Sequence, residues 1–209
     1  MTPILYSFRR CPYAMRARLA VLVSGVRVEL REILLRDKPA AFLAASASGT
    51  VPCLVTDAGV IDESLEIMIW VLRQNDPEGW LQMSEAGWAW IARGDGPFKA
   101  ALDRVKYASR HAPDDVAAAR AVAVAFLDDL ETALRGGIFG RGTLADYALL
   151  PFVRQFAFVD KDWFDAQDWP RVQDWLARFM ESDRFARIME KQALWDQAAE
   201  PAAQVFFPR

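Results

Sequence analysis

Where the hydrophobic period changes along this chain decides most of what it can fold into. Between residues 3 and 74, strand-like runs alternate with segments whose apolar side chains recur every three to four positions. After Asn75-Asp76-Pro77-Glu78-Gly79 only the helical period remains. Residues 4–8 read as a buried strand. Over residues 12–24, Met15, Leu19, Leu22 and Val23 share one helix face, and Gly25 is placed to end that helix. Residues 26–34 alternate and read as a second strand. Asp37-Lys38-Pro39 opens a short helix to Ala45, with proline tolerated in its first turn. Residues 53–55 and 60–61 flank Asp57-Ala58-Gly59 as a hairpin. Residues 65–72 are apolar nearly all round, which predicts a helix buried on more than one side. The expected order is β-α-β, helix, β-β, α, with the first two strands parallel and the hairpin antiparallel in one sheet. Helices are then expected over 81–110, 114–135, 143–158, 170–181 and 183–195.

Bulk properties narrow the function. With 53% hydrophobic and 25% charged residues over 209 positions, the chain has the composition of a folded globular protein. A net charge of −3 argues against general nucleic-acid binding, which needs a positive surface to displace phosphate counterions. No apolar run approaches the roughly 18 residues that span a bilayer. The N-terminus lacks the basic-then-apolar layout of a signal peptide, so no membrane partner and a cytoplasmic location are expected. Two cysteines exclude a disulfide framework. A single histidine, His111, leaves little for a histidine-rich metal site or a Ser-His-Asp triad, and no metal is expected.

Cys11-Pro12-Tyr13-Ala14 falls where the first strand turns into the first helix. A thiol there faces unpaired helix N–H groups and the positive end of the dipole, and Arg9 and Arg10 add positive charge. Comparable positions lower a thiol pKa from about 8.5 to between roughly 3.5 and 7.5, so Cys11 is expected to react as a thiolate. Ala14 stands where a Cys-x-x-Cys motif has its second sulfur, so a disulfide formed at Cys11 needs an external thiol to resolve it. Cys53 is expected as a small core side chain, with an internal partnership to Cys11 left open.

Gly49-Thr50-Val51-Pro52 precedes the third strand. It reads either as an ordinary turn or, with a cis Val51–Pro52 bond, as main chain turned outward to pair with a bound peptide. Asp62-Glu63-Ser64 opens the next helix, either as a simple cap or as a holder for a zwitterionic amino-acid head group. In the second case the helix end and the Ser64 hydroxyl take a carboxylate and Glu63 takes an amine. Thr143-Leu144-Ala145-Asp146 is a capping pair, and the Gly-rich stretch 136–142 a connector without a phosphate-loop lysine. Trp163, Trp169, Trp175 and Trp195 are expected in packing between helices. Residues 200–209 are expected as a loosely packed extension in which Phe206 and Phe207 have the means to dock.

In this order and on this pattern, Cys11-Pro12-Tyr13-Ala14, Val51-Pro52 and Glu63-Ser64 resemble the thioredoxin-like half of a cytosolic glutathione transferase. The helical half, with Thr143 and Asp146 opening a central helix, is similar in pattern. Arg10 through Ala14, Leu34-Leu35-Arg36-Asp37-Lys38-Pro39 and Gly49-Thr50-Val51-Pro52 resemble the cysteine-containing, omega-like branch. The resemblance implies an α/β thioredoxin-like N-terminal domain, residues 1–76, and an all-α C-terminal domain, residues 82–209, that contributes a hydrophobic co-substrate site. It implies Cys11 as the catalytic thiolate that forms a mixed disulfide with glutathione. Val51, followed by Pro52, pairs its main chain with the cysteinyl part, Glu63 and Ser64 hold the γ-glutamyl head, Lys38 reaches the glycyl carboxylate and Tyr13 lines the pocket.

The implied activity is glutathione-dependent thiol transfer, extending to dehydroascorbate or glutathionyl-hydroquinone reduction. A small hydrophobic or disulfide co-substrate and a homodimer go with it. One alternative is a non-catalytic interaction protein of the stringent-starvation-protein type, against which the intact Cys11, Glu63 and Ser64 set counts. Another is a membrane-associating relative of the intracellular chloride channel type, which keeps a similar Cys-Pro-aromatic start. The lack of a long apolar segment near the N-terminus weighs against it.

Overall fold

A computed structural model describes residues 1–137, 139–140, 142–197 and 205–208. Contacts divide the chain into two compact units, Met1–Glu78 with Asp183–Arg209, and Gly79–Ser182. The first holds strands β1 (Ile4–Ser7), β2 (Val28–Glu32), β3 (Cys53–Thr56), β4 (Gly59–Ile61) and β5 (Val205–Phe207). With them are helices α1 (Pro12–Ser24), α2 (Ala40–Ala45), α3 (Ser64–Gln74) and α10 (Asp183–Ile188). The strands form one sheet in the order β4-β3-β1-β2-β5. β1 and β2 are parallel with Leu5 opposite Leu30, and β1 and β3 are antiparallel with Leu5 opposite Leu54.

Helix α1 starts with Pro12, whose missing N–H costs nothing in the first turn. It ends where Gly25 enters the left-handed region at φ 69° and returns its N–H to Val21 O at 3.1 Å. α1 packs on α3, and the two helix ends are tied by Asn75 Nδ2 donating to Ser24 O at 2.8 Å. Leu5, Tyr6 and Leu54 on the strands, Leu19 on α1, and Ile67, Met68 and Val71 on α3 are buried in the core of this unit. Helix α3, expected to be covered on more than one side, leaves Leu65, Ile69 and Trp70 partly exposed.

The second unit holds α4 (Glu85–Arg93), α5 (Lys99–Lys106), α6 (Pro113–Arg135), α7 (Leu144–Ala157), α8 (Lys161–Asp165) and α9 (Pro170–Glu181). Residues 81–110, expected as one helix, are divided. A π-helical turn at Gly94–Phe98 separates α4 from α5, and a short 3₁₀ turn at Ala108–Arg110 follows. Pro97 lies in the π turn, where its lack of an N–H interrupts the regular ladder and the wider turn absorbs the break. Gly94 admits close packing there, since a Cβ on it would stand 2.1 Å from Leu149 Cδ2. The capping box opening α7 forms as expected, Asp146 Oδ2 accepting from Thr143 N at 2.9 Å. Helix α8 was not anticipated; Asp160 caps it by accepting from Trp163 N at 3.1 Å.

The C-terminal stretch departs most from expectation. The helix expected over 183–195 stops at Ile188. There the buried Arg18 donates from Nη1 to Ile188 O at 2.9 Å, and Arg9 donates from Nη1 to Met189 O at 2.8 Å. Trp195 N then bonds Glu32 O at 2.8 Å, and β5 pairs antiparallel with β2, Phe207 opposite Val28. By contacts Asp183–Arg209 groups with Met1–Glu78, whereas the sequence reading ran the helical domain on to residue 209. The pairing covers amides that β2 would otherwise expose along an edge. No helix among the described residues is long and apolar enough to cross a membrane.

Candidate functional site

Strand β1 ends at Ser7, and a turn closed by Cys11 N donating to Phe8 O at 2.9 Å delivers Cys11 to the N-cap of α1. The Cys11 carbonyl accepts from Met15 N at 3.0 Å, so the first helical turn fixes its backbone. The side chain is half-buried, and its thiol donates to Val51 O at 3.5 Å. Val51 is buried, and its bond to Pro52 is cis. Ser64 begins α3, is 3% exposed, and accepts from Arg16 Nη1 at 3.5 Å, while Glu63 at the N-cap of α3 is exposed. The Arg16 guanidinium stands 5.8 Å from the Tyr13 ring.

These residues meet at a groove of about 460 Å³ lined by Cys11, Tyr13, Lys38, Val51, Pro52, Glu63 and Ser64, which is every site residue named from the sequence. Leu35, Gly49, Thr50 and Asp62 complete the lining and had been given no role. The signal for them was adjacency, since each borders a named residue or stands in a quoted motif. Lys38 lies across the 46–50 loop, its Nζ 4.0 Å from where a Gly49 Cβ would be. All eleven lining residues belong to the first unit.

The arginines before Cys11 are arranged differently from expectation. Neither lines the groove. Besides holding Met189 O with its guanidinium, Arg9 donates its main-chain N–H to Glu32 Oε1 at 2.7 Å, and Glu32 also pairs with Arg18. Burial pushes the Glu32 carboxyl above its ordinary value against the pull of Arg18 and Arg9, and burial pushes the Arg18 guanidinium down despite Glu32. This network ties the turn carrying Cys11 to β2 and to the end of α10. The groove's own cationic features are Lys38 and the N-termini of α1 and α3.

Cys53 is fully buried, and its thiol is pushed up to about 12 by burial and then by the neighbouring Asp62 carboxylate. It stays protonated at neutral pH. Only Cys11 combines exposure with a helix N-terminus, and it opens onto a groove suited to a small peptide carrying both charges.

Two family models match the chain in order: the glutathione S-transferase N-terminal domain over residues 5–79 and the glutathione S-transferase C-terminal domain over residues 88–178. A probable glutathione transferase of Aplysia californica is 39% identical over 57 residues, a stretch that is 27% of this chain and 62% of that protein. The crystal structure of glutathione transferase Omega 3C from Trametes versicolor superposes with a TM-score of 0.73 at 17% identity, over 93% of this chain and 91% of its own. Glutathione transferase URE2P6 from Phanerochaete chrysosporium, in complex with oxidized glutathione, gives a TM-score of 0.74 at 19% identity, covering 90% of this chain and 94% of its own. At such identities the superpositions speak for the fold alone, a small mixed sheet domain with a helical domain. With both domain models matched in chain order and most of its length covered, the chain belongs to the glutathione S-transferase family.

Proposed function

We propose that this protein is a glutathione-dependent thiol transferase of the cysteine-containing, omega-like type, with Cys11 as its nucleophile. The observation that carries the reading is the half-buried Cys11 sulfur at the N-cap of α1, opening onto the groove that holds Lys38, Val51, Glu63 and Ser64. Glutathione carries an ammonium and two carboxylates. Glu63 suits the ammonium, the Ser64 hydroxyl at the start of α3 suits the neighbouring carboxylate, and Lys38 suits the glycyl carboxylate. The main chain of Val51 pairs with the cysteinyl part, which brings the glutathione sulfur to Cys11.

The Cys11 thiolate attacks the glutathionyl sulfur of a mixed disulfide, R–S–SG. A bond forms between Cys11 and that sulfur, the original S–S bond breaks, and R–S⁻ leaves and takes a proton. A glutathione thiolate then attacks the glutathionyl sulfur on Cys11, releasing oxidised glutathione and regenerating the Cys11 thiolate. The net change is R–S–SG plus glutathione giving R–SH plus oxidised glutathione. Because Ala14 replaces the second cysteine of the motif and Cys53 holds its proton, no internal thiol competes for the second step. The co-substrate is a small hydrophobic or disulfide molecule, and the working form is a homodimer in the cytoplasm.

Exposure to oxidised glutathione followed by intact-mass measurement should give one glutathionyl adduct, mapped to Cys11. Cys11→Ala should lose the adduct and thiol-transferase turnover while keeping its circular dichroism. Retained turnover in Cys11→Ala, or an adduct on Cys53, overturns the mechanism.

A further inference from the structure

Groove-lining Asp62 is adjacent to Glu63, yet its surroundings are those of a structural clamp. Asp62 Oδ1 accepts from Ser46 Oγ at 2.8 Å and Oδ2 from Ser48 N at 3.2 Å. The Ala47 amide and the Cys53 thiol are further polar neighbours that favour its charged form. Burial raises the Asp62 carboxyl, but these hydrogen bonds outweigh burial and leave it below its ordinary value. From Asp62 the contacts continue along the loop. Ser46 and Ser48 hydroxyls stand 3.2 Å apart, Ser48 and Thr50 hydroxyls 2.7 Å, and Thr50 N donates to Ser48 Oγ at 3.2 Å. That loop, residues 46–50, carries Gly49 and Thr50 into the groove and leads directly to Val51, whose carbonyl meets Cys11.

We infer that Asp62 is a positioning residue: it fastens the 46–50 loop to the start of α3, sets the groove wall that Val51 presents to the thiol ligand, and keeps Cys53 sealed beneath it. The inference rests on the glutathione reading for its ligand and on geometry alone for the clamp. Two adjacent carboxylates thereby divide the work. Asp62 directs its oxygens to loop donors, and the exposed Glu63 is left for the ligand's ammonium. A carboxylate that accepts several N–H and O–H bonds at once is a strong fastener, because each is charge-assisted. Cys11 is held independently by β1 and α1, so the clamp acts on binding more than on the chemistry at sulfur.

Two readouts test this on the full chain, comparing wild type with Asp62→Ala and Asp62→Asn. By titration calorimetry, Asp62→Ala should bind glutathione about tenfold more weakly, the loss expected of one charge-assisted contact set. In turnover its KM for glutathione should rise by more than kcat falls. Asp62→Asn, which keeps an acceptor for Ser46 but presents an amide to the Ser48 N–H, should fall between. Second, native alkylation with iodoacetamide followed by mass mapping should label Cys53 faster in Asp62→Ala than in wild type. Equal affinity and equal Cys53 labelling in wild type and Asp62→Ala overturn the clamp. If wild type itself fails to bind glutathione, the reading of the ligand falls, and the Cys53 labelling still decides the clamp. Should Asp62→Ala not fold, Ser46→Ala removes one donor from the same contact set and is expected to shift both readouts in the same direction.

Discussion

Replacing Asp146 with alanine should unsettle the helical unit far more than a surface change would. The carboxylate is 2% exposed and serves four donors: Thr143 N at 2.9 Å, Thr143 Oγ1 at 3.0 Å, Gly140 N at 2.6 Å and Trp175 Nε1 at 2.9 Å. Losing the α7 cap costs about 1 kcal/mol. The Trp175 indole N–H loses an ionised acceptor in a buried setting, about 1.5–3 kcal/mol, whereas water at the exposed Gly140 recovers most of that share. The total is about 2.5–4 kcal/mol, and at roughly 2–4 °C per kcal/mol for a chain of this size the midpoint should fall by about 5–16 °C. Six of the eight tryptophans, Trp80, Trp88, Trp90, Trp163, Trp169 and Trp175, lie in this unit, so intrinsic fluorescence during guanidinium unfolding reports it. Thr143→Ala removes only the hydroxyl and should cost about 1 kcal/mol or less. An Asp146→Ala loss no larger than that of Thr143→Ala refutes the shared-acceptor argument.

The Cys53 thiol has its folded value pushed up to about 12 by burial and then by Asp62, against about 8.5 in an unfolded chain. The folded state holds this proton more tightly, so its stabilisation is complete below about pH 8.5 and is lost as pH rises toward 12, about 2 kcal/mol being gone by pH 10. Cys53→Ala should flatten the alkaline fall in denaturant stability by that amount, and parallel curves for the two proteins contradict the assignment. Glu63→Ala should weaken glutathione binding by between about twofold and fivefold in calorimetry, a range set by solvent screening of an exposed carboxylate. An unchanged affinity removes Glu63 from the ligand's ammonium.

What the sequence discloses and what it hides follow from how local each determinant is. Helix α1 is readable because Pro12, its apolar spacing and Gly25 act within one stretch of chain, and each contributes on its own. The α7 cap is likewise set by residues three apart. The groove residues were nameable for a related reason: each sits at an element boundary with its own local chemistry, a cysteine at a helix start, a proline before a strand, a Glu-Ser pair at another helix start. Once the β-α-β pattern fixes which boundaries lie at the same end of the sheet, those chemistries converge.

The features that escaped all depend on partners far away in sequence. Nothing in Val205–Phe207 marks it as a strand, since three residues carry no period, and the pairing with β2 draws its stability from the amides of an edge that the chain meets over 170 positions earlier. The end of α10 at Ile188 is set by the guanidinium groups of Arg9 and Arg18, which no reading of residues 183–195 reveals. The same long-range pairing changes the meaning of Arg9, read locally as charge beside the thiol. With its guanidinium on Met189 O and its main chain on Glu32, Arg9 works as a fastener, and under the proposed mechanism the groups left to favour a thiolate at Cys11 are the amides and dipole of α1. Glu32 is where the two stretches meet: its carbonyl accepts from Trp195 N and its carboxylate from Arg9 N, two residues before Cys11, although more than 180 residues separate Cys11 from Trp195 along the chain.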